Sequence, residues 1–438
     1  MSMSLNTIWR GLLVKLLDGY QLSDDGQKGQ SKRVIHERIV KRNNVMRKPF
    51  KKKAVQWKPV SKSGSKRKLA KKKAIKFKPA SKKAPKVKAI RRRCVRKVQP
   101  KLEEQQYVVK KYIDNPIIVP EKKNDWEAWQ TFNPAATLIN DNVHFLYRAI
   151  GTDGVSRFGY ASSMDGFKVD YRHSEPAYQD FNICREYNCY SLVSGGSWSG
   201  CEDPRMSLIE EDKRIYVTYT SCSGGLRVGL LSISVEDFEN KRWNWSKPKL
   251  ISPPDEVHKN WVIFPEKING KYAIMHSISP EMQIEYLDNL DFKNGECIQS
   301  HYNPGTPSHR WDSFLRGPGP TPIKTKYGWL LFYHAMSRDD MGSYKVGAML
   351  LDLKDPTRIL HRSKMPVLEP KEFYEMSGFK PGVVYILGAV VKEDNLIMYY
   401  GGADNYVCAA YVNYEEFLQE LIKKEDKLLK KKLLKIKK

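Results

Sequence analysis

Two adjacent carboxylates, Glu202 and Asp203, stand in the stretch GCEDPR at Gly200–Arg205. A Gly-rich approach, SGGSWSG, precedes them, and a run that reads as two strands around a turn, MSLIEEDKRIYVTYTS, follows. A positioned carboxylic acid can hand a proton to a departing oxygen, which would otherwise leave as a strongly basic alkoxide. Asp before Pro is also a common turn former, so the place of the pair in the fold decides between the two readings. Neighbours in an extended segment point to opposite faces. Only one member of the pair, taken to be Asp203, is therefore expected to face a pocket, with Arg205 holding a carboxylate through a two-pronged contact.

The elements that must position these residues recur along the chain. The unit is an apolar strand, a tight turn rich in Asn, Asp, Gly or Lys, and an apolar strand ending in Tyr or His. Copies begin at 133 (NPAATLINDNVHFLYRAIG), 203 (DPRMSLIEEDKRIYVTYTS), 264 (FPEKINGKYAIMHSIS), 319 (GPTPIKTKYGWLLFYHAM) and 387 (LGAVVKEDNLIMYYGGAD). Further strand-like runs lie between them, giving about four strands per unit, the pattern of a β-propeller blade. The expected fold is all-β: a five-bladed propeller over residues 113–413. Aligning the copies sets Asn133, Asp203, Phe264 and Gly319 at equivalent mouths. The strand ends Arg148, Thr220, Ser277, His334 and Gly401, with Asp404 just beyond, complete a polar ring. Fixed donors and acceptors of this kind suit a sugar. Trp198, Trp311 and Trp329 are candidates to stack on sugar faces, Trp329 being better read as core.

Charge divides the 438-residue chain. Its formal net charge is +27, yet residues 1–110 hold 34 Lys/Arg against 6 Asp/Glu, which leaves the remainder close to neutral. The basic character belongs to an extension, so a nucleic-acid-binding fold does not follow from it. Positions 51–62 (KKKAVQWKPVSK) and 71–82 (KKKAIKFKPASK) repeat, and residues 51–100 contain no acid. Such a segment repels itself and cannot bury a core. Residues 1–112 are thus expected to be a mostly disordered basic extension, with 41–101 able to meet a polyanion or anionic surface. Residues 414–438 read as a basic amphipathic helix or tail. Cysteines 94, 184, 189, 201, 222, 297 and 408 form no CxxC pair. Free thiols, no metal site and no organic cofactor are expected. No apolar run is long enough to span a bilayer and no secretory signal is visible, so a cytoplasmic location is expected. The start, with Trp9, Leu12, Leu13, Leu16 and Leu17 on one helical face, leaves an organelle presequence open.

The ordered set FNPAA, LYRAIG, SRFGYASSMDG, CEDPR, YVTYTS, FPEKINGKYAIMH, GPGPTPIKTKYGWLLFYH and MYYGGAD resembles glycoside hydrolase family 130, the β-mannoside phosphorylases and related mannosidases. The resemblance runs from about residue 115 to 413. It implies a five-bladed propeller and an inverting reaction on a β-mannoside oligosaccharide, with Asp203 as the acid. It further implies that Asn133, Arg148 and Asp404 hold the sugar, with His334 and Trp311 as further contacts from the ring reading above. In the phosphorylases inorganic phosphate attacks the anomeric carbon and gives α-mannose 1-phosphate. Phosphate carries its own charge, so no second carboxylate is needed as base.

By the same resemblance Lys259 and His276 match phosphate-binding positions. Other basic positions of the family read Ser221-Cys222-Ser223 and Ser277 here, and Arg227 is the candidate substitute. Two alternatives stay open. One is an inverting hydrolase of the same fold, in which Glu266 or Glu375 activates water. The other is a carbohydrate-binding propeller without turnover.

Overall fold

The computed structural model describes residues 109–180, 194–222, 225–305 and 310–423. The basic extension and most of the C-terminal tail lie outside these residues. Strands dominate, as alternating β-branched and aromatic residues between short polar turns require. In chain order they are β1 (Lys110–Lys111), β2 (Gln130–Ile139), β3 (Asn142–Ile150), β4 (Val155–Ser163) and β5 (Tyr171–Arg172). Next come β6 (Ser199–Ile209), β7 (Arg214–Ser221), β8 (Arg227–Ser234), β9 (Lys249–Leu250), β10 (Val262–Ile263), β11 (Tyr272–Ser277) and β12 (Gln283–Leu287). The last are β13 (Phe314–Pro318), β14 (Ile323–Thr325), β15 (Gly328–Ser337), β16 (Asp340–Leu351), β17 (Ile359–Arg362), β18 (Val384–Lys392), β19 (Asn395–Gly402) and β20 (Tyr406–Asn413).

Pairing groups them into consecutive antiparallel meanders: β2–β5, β6–β9, β10–β12, β13–β17 and β18–β20. Short parallel ladders link β18 to β2 and β4 to β6. β1 adds to the outer edge of β20, so the N-terminal end of the described chain closes the last meander.

The apolar core is divided in the same way. One cluster fills the space between the first and second meanders, one between the second and third, one between the third and fourth, and one between the fourth and fifth. A further cluster, with Phe145 against Tyr399, joins the fifth meander back to the first. Among the described residues each meander therefore packs apolar side chains against two others.

The packed unit extends past the boundaries expected at 112/113 and 413/414. Lys110 and Lys111 are in the sheet. A helix over 414–423 buries Phe417, Leu418 and Leu421 in the cluster between the fourth and fifth meanders. Among the described residues no helix is long and apolar enough to cross a membrane.

One cross-strand pair recurs. Tyr147 lies opposite Gly159, Tyr219 opposite Gly229, and Tyr333 opposite Gly347. In each case the ring covers the glycine so closely that an added Cβ would lie 2.2–2.3 Å from it. The hydroxyls of Tyr147 and Tyr333 then reach the buried carboxylates Glu127 and Asp312. Replacing Gly159, Gly229 or Gly347 by Ala should displace the ring from its slot. We expect a loss of about 1–3 kcal/mol each, the usual cost of overpacking, read as a lower denaturation midpoint. Midpoints equal to the parent's would refute this.

Candidate active site

The inner strands of the first two meanders depart from alternation at the same point. The β2/β3 register shifts between Phe132 and Ala135, and the β6/β7 register shifts between Glu202 and Arg205. Asn133 (φ 49°) and Asp203 (φ 52°) occupy these bulges in the left-handed region. Asn and Asp tolerate that conformation better than most residues. A bulge re-aims a side chain, and here it corrects the alternation expected for the acid pair. Glu202 and Asp203 both face the same two cations.

Asp203 Oδ1 accepts from Asn133 Nδ2 at 2.8 Å and from Arg148 Nη1 at 3.2 Å, while Lys259 Nζ stands 3.9 Å from Oδ2. Glu202 accepts from Arg148 Nη2 at 3.1 Å, Lys259 Nζ at 3.1 Å, Ser194 Oγ at 2.8 Å and Ser197 Oγ at 3.4 Å. Lys259 also donates to Ser194 Oγ. Arg148 is fully buried, lies 4.8 Å over the Phe132 ring and donates to Ser156 and Ser197 as well. The Gly-rich approach explains itself here: a Cβ on Gly195 would lie 2.6 Å from Arg148 Nη1.

Arg205 does not hold a carboxylate as expected. Its guanidinium donates to the carbonyls of Asp203 (3.0 Å) and Gly319 (3.0 Å) and to Asn260 Oδ1 (2.9 Å). It fixes the backbone of the bulge instead. Tyr385 Oη donates to the same Asn260 oxygen at 2.8 Å. By pairing register Asn260 (φ 67°), not Phe264, is the third-meander counterpart of Asn133 and Asp203. Phe264 is buried against Trp329.

Asp404 (φ 50°) is buried, with Lys380 Nζ 3.8 Å from its carboxylate. Gln130 Nε2 donates to its backbone carbonyl at 2.6 Å. Lys380 stands 5.5 Å over the Tyr344 ring, which Arg316 also faces at 5.8 Å, and Tyr344 adjoins Tyr385 at 6.2 Å. These contacts form one network around Asp203.

The two acids are tuned apart. Burial alone would raise Asp203, but Arg148, Lys259 and the Asn133 amide outweigh it and hold the carboxyl at about 2. Burial pushes Asp404 up to about 6, with Lys380 opposing and the charge of Asp203 adding to the rise. Lys259 is held above its ordinary value: burial pulls it down, but Glu202 and Asp203 prevail.

Several residues singled out from the sequence lie elsewhere. His334 is fully buried beneath Tyr385, stacked at 3.8 Å, and its Nε2 donates to the Ile386 carbonyl at 2.9 Å. Burial and then Arg205 push it down to about 3, so it is neutral; its Nε2 is committed to the backbone, and its buried Nδ1 has no partner among the described residues. Trp311 stacks on Tyr333 and donates to the Lys364 carbonyl at 2.9 Å, within the core between the third and fourth meanders. Arg227 is turned to the Ser252 carbonyl, and His276 Nδ1 to Ser300 Oγ at 2.9 Å, behind Trp261. Neither joins the contacts around Asp203, and burial with nearby His258 lowers His276 to about 4. Glu266 is an exposed partner of Lys324. Glu375 caps helix α1 (Phe373–Met376) and is saturated by Lys111, Tyr400 and two backbone amides. Ser194, Ser197, Asn260, Arg316 and Tyr385 enter the network unannounced by the sequence. Among the described residues no group of three His, Cys, Asp or Glu side chains is placed to hold a metal ion.

The sequence model of glycoside hydrolase family 130, described as beta-1,4-mannooligosaccharide phosphorylase, matches residues 102–423. A 1,2-beta-oligomannan phosphorylase of Thermoanaerobacter sp. (strain X514) is 35% identical over 315 residues, spanning 70% of this chain and 98% of the relative. A beta-1,2-mannobiose phosphorylase of the same strain is 33% identical over 318 residues, 69% of this chain and 96% of the relative. The solved beta-1,2-mannobiose phosphorylase of Listeria innocua, in complex with beta-1,2-mannobiose, superposes with a TM-score of 0.56 at 26% identity. The match covers 72% of this chain and 99% of that one.

Two measurements probe the electrostatics. Glu202→Gln removes half of the carboxylate charge that pairs Arg148 and Lys259. It should cost about 3–5 kcal/mol of stability, as breaking a buried ion pair does, read by chemical denaturation; a loss below 1 kcal/mol would contradict the clamp. Asp404 works in the opposite sense. Its folded pKa lies above the unfolded value, so the folded state binds more protons between pH 4 and 6 and stability falls as pH rises through that window. Asp404→Asn should relieve about 3 kcal/mol of that loss. The Tm difference between variant and parent should shift in the variant's favour from pH 4 to 6.5; parallel curves would refute the assignment.

Proposed function

Because the chain belongs to glycoside hydrolase family 130, we propose that it is an inverting β-mannoside phosphorylase. It transfers a mannosyl group from a manno-oligosaccharide to inorganic phosphate, giving α-mannose 1-phosphate and a shortened acceptor. The five meanders, with core clusters joining each to the next and the last to the first, support a five-bladed propeller. Its inner-strand bulges form the floor of the site. Three relatives above 30% identity are named for β-1,2-linked mannosides, and β-1,2 is the linkage we assign.

The observation that carries this reading is the charge of the network. Arg148, Lys259 and Lys380 stand against Glu202, Asp203 and Asp404, and two further cations join the network without a carboxylate partner of their own among the described residues: Arg205 on the Asp203 carbonyl and Arg316 over the Tyr344 ring. Five cations against three carboxylates leave room for a dianion, whereas a neutral water asks for a base. Arg316 lies between the Phe314 and Tyr344 rings, and its Nε has no hydrogen-bond partner among the described residues. With Lys259 it forms the phosphate grip. Asn133, Arg148 and Asp404 hold the mannosyl group that is transferred.

Asp203 supplies the proton to the departing oxygen. In the free protein its partners are all donors and it is ionised. Phosphate bound at Lys259 neutralises one of the cations that hold Asp203 ionised and so raises its proton affinity. The carboxyl is thereby armed only when the nucleophile is present.

The test is phosphorus NMR of protein, β-1,2-mannobiose and phosphate. α-Mannose 1-phosphate should accumulate only when all three are present. Asp203→Asn should lower turnover by about 10²–10⁴-fold, the usual worth of a general acid. Arg316→Met should raise the apparent KM for phosphate by about 10–100-fold, the equivalent of one charge-assisted contact, and that for the saccharide far less. Free mannose released at full rate in phosphate-free buffer would overturn the proposal in favour of hydrolysis.

A further inference from the structure

Three aromatic side chains outside the catalytic network lie together at its edge. Trp129 is 47% exposed and meets Phe379 edge to face at 6.4 Å. Trp198 is half-buried, its indole donating to the Asp153 carbonyl at 2.7 Å. A Cβ on Gly154 would lie 2.7 Å from Trp198 and 4.0 Å from Trp129, and one on Gly196 would lie 3.1 Å from Phe379. The rings therefore form one continuous strip, floored by glycines.

Each ring is one residue away from a side chain that touches the network. Gln130, after Trp129, donates to the Asp404 and Gly195 carbonyls. Ser197, before Trp198, accepts from Arg148. Lys380, after Phe379, faces Asp404. Three separate segments thus place a polar residue in the network and an aromatic neighbour at its rim. Among the described residues, none of the three belongs to an apolar cluster of the core.

We propose that Trp129, Phe379 and Trp198 form a stacking platform for the acceptor side of the oligosaccharide, taking the second and later mannosyl units beyond the bond that is cut. A mannopyranose presents C–H groups on one face and hydroxyls around its edge. Aromatic faces accept the first, and water at an exposed rim satisfies the second. The first acceptor unit lies inward, over the buried network. The next must emerge where Trp129 is exposed. The platform gives no contact to a disaccharide and a graded one to longer chains, so it sets chain-length preference. This inference rests on the function proposed above.

The experiment compares the full chain with its Trp129→Ala and Phe379→Ala variants on β-1,2-mannobiose and β-1,2-mannotetraose. Each variant should raise KM for the tetrasaccharide by about 10-fold, with kcat unchanged and the disaccharide KM within twofold of the parent. Calorimetric binding of both sugars to Asp203→Asn, with and without Trp129→Ala, should show the same selective loss without turnover. Equal losses on both sugars, or none on either, would overturn the platform. If mannosides bind but yield no mannose 1-phosphate, the proposed reaction fails and the selective binding loss still decides the platform. If neither sugar binds, both readings fall.

Discussion

The structure around the site depends on one buried guanidinium. Arg148 leaves β3, crosses the seam where β4 meets β6, and ends between two carboxylates carried by β6. Removing a cation from water costs several kcal/mol unless well-placed opposite charge repays it. Two carboxylates and two serines provide that here. Lys259, from the third meander, meets the same carboxylates from the other side. Three meanders are thereby tied at one point, and Glu202 is the hinge of the arrangement. It balances the cations so that Asp203 need not spend its whole charge on them.

The backbone and the chemistry ask for the same residue types. Asn133, Asp203, Asn260 and Asp404 all have positive φ. Short side chains that hydrogen-bond locally make that conformation tolerable. They are also the donors and acceptors that hold a polar ligand. Backbone strain of this kind costs of order 1–3 kcal/mol per residue, and Arg205 offsets part of it by holding the Asp203 and Gly319 carbonyls and the Asn260 side chain. An Asn-Pro or Asp-Pro step at the start of an inner strand is therefore both a turn signal and a site signal. The two readings of the opening motif are one.

Much of this was legible in the sequence because strand period and turn chemistry are local. The repeat of strand, turn and strand gave the meanders, and the motif positions Asn133, Arg148, Asp203, Lys259 and Asp404 do meet. What was not legible is direction. Alternation predicts opposite faces for Glu202 and Asp203, and a bulge cancels it. Aligning the later repeats on Pro265 and Pro320 displaced the register, hiding Asn260 behind Phe264. His334, Trp311, Arg227, His276, Glu266 and Glu375 have suitable chemistry, but each is directed elsewhere by a partner distant in sequence: Ile386, Lys364, Ser252, Ser300, Lys324 and Lys111. Spacing along a chain does not encode such partners.

The choice between phosphate and water as nucleophile turns on where carboxylates stand relative to cations. A hydrolase that inverts needs a second carboxylate able to take a proton from water. Glu202, the nearest to Asp203, already accepts from Arg148, Lys259, Ser194 and Ser197. A carboxylate so surrounded by donors is a poor base, because each donor stabilises its ionised form. Asp404 has the higher proton affinity, but Lys380 stands beside it and the resemblance assigns it to the sugar. The same cations that disable Glu202 as a base attract an anion. In the reaction proposed above, a nucleophile that brings its own negative charge gains from them twice, once in binding and once in letting Asp203 hold a proton. Water gains neither, and the arrangement of charge thus favours phosphate without any residue having to discriminate between the two by shape.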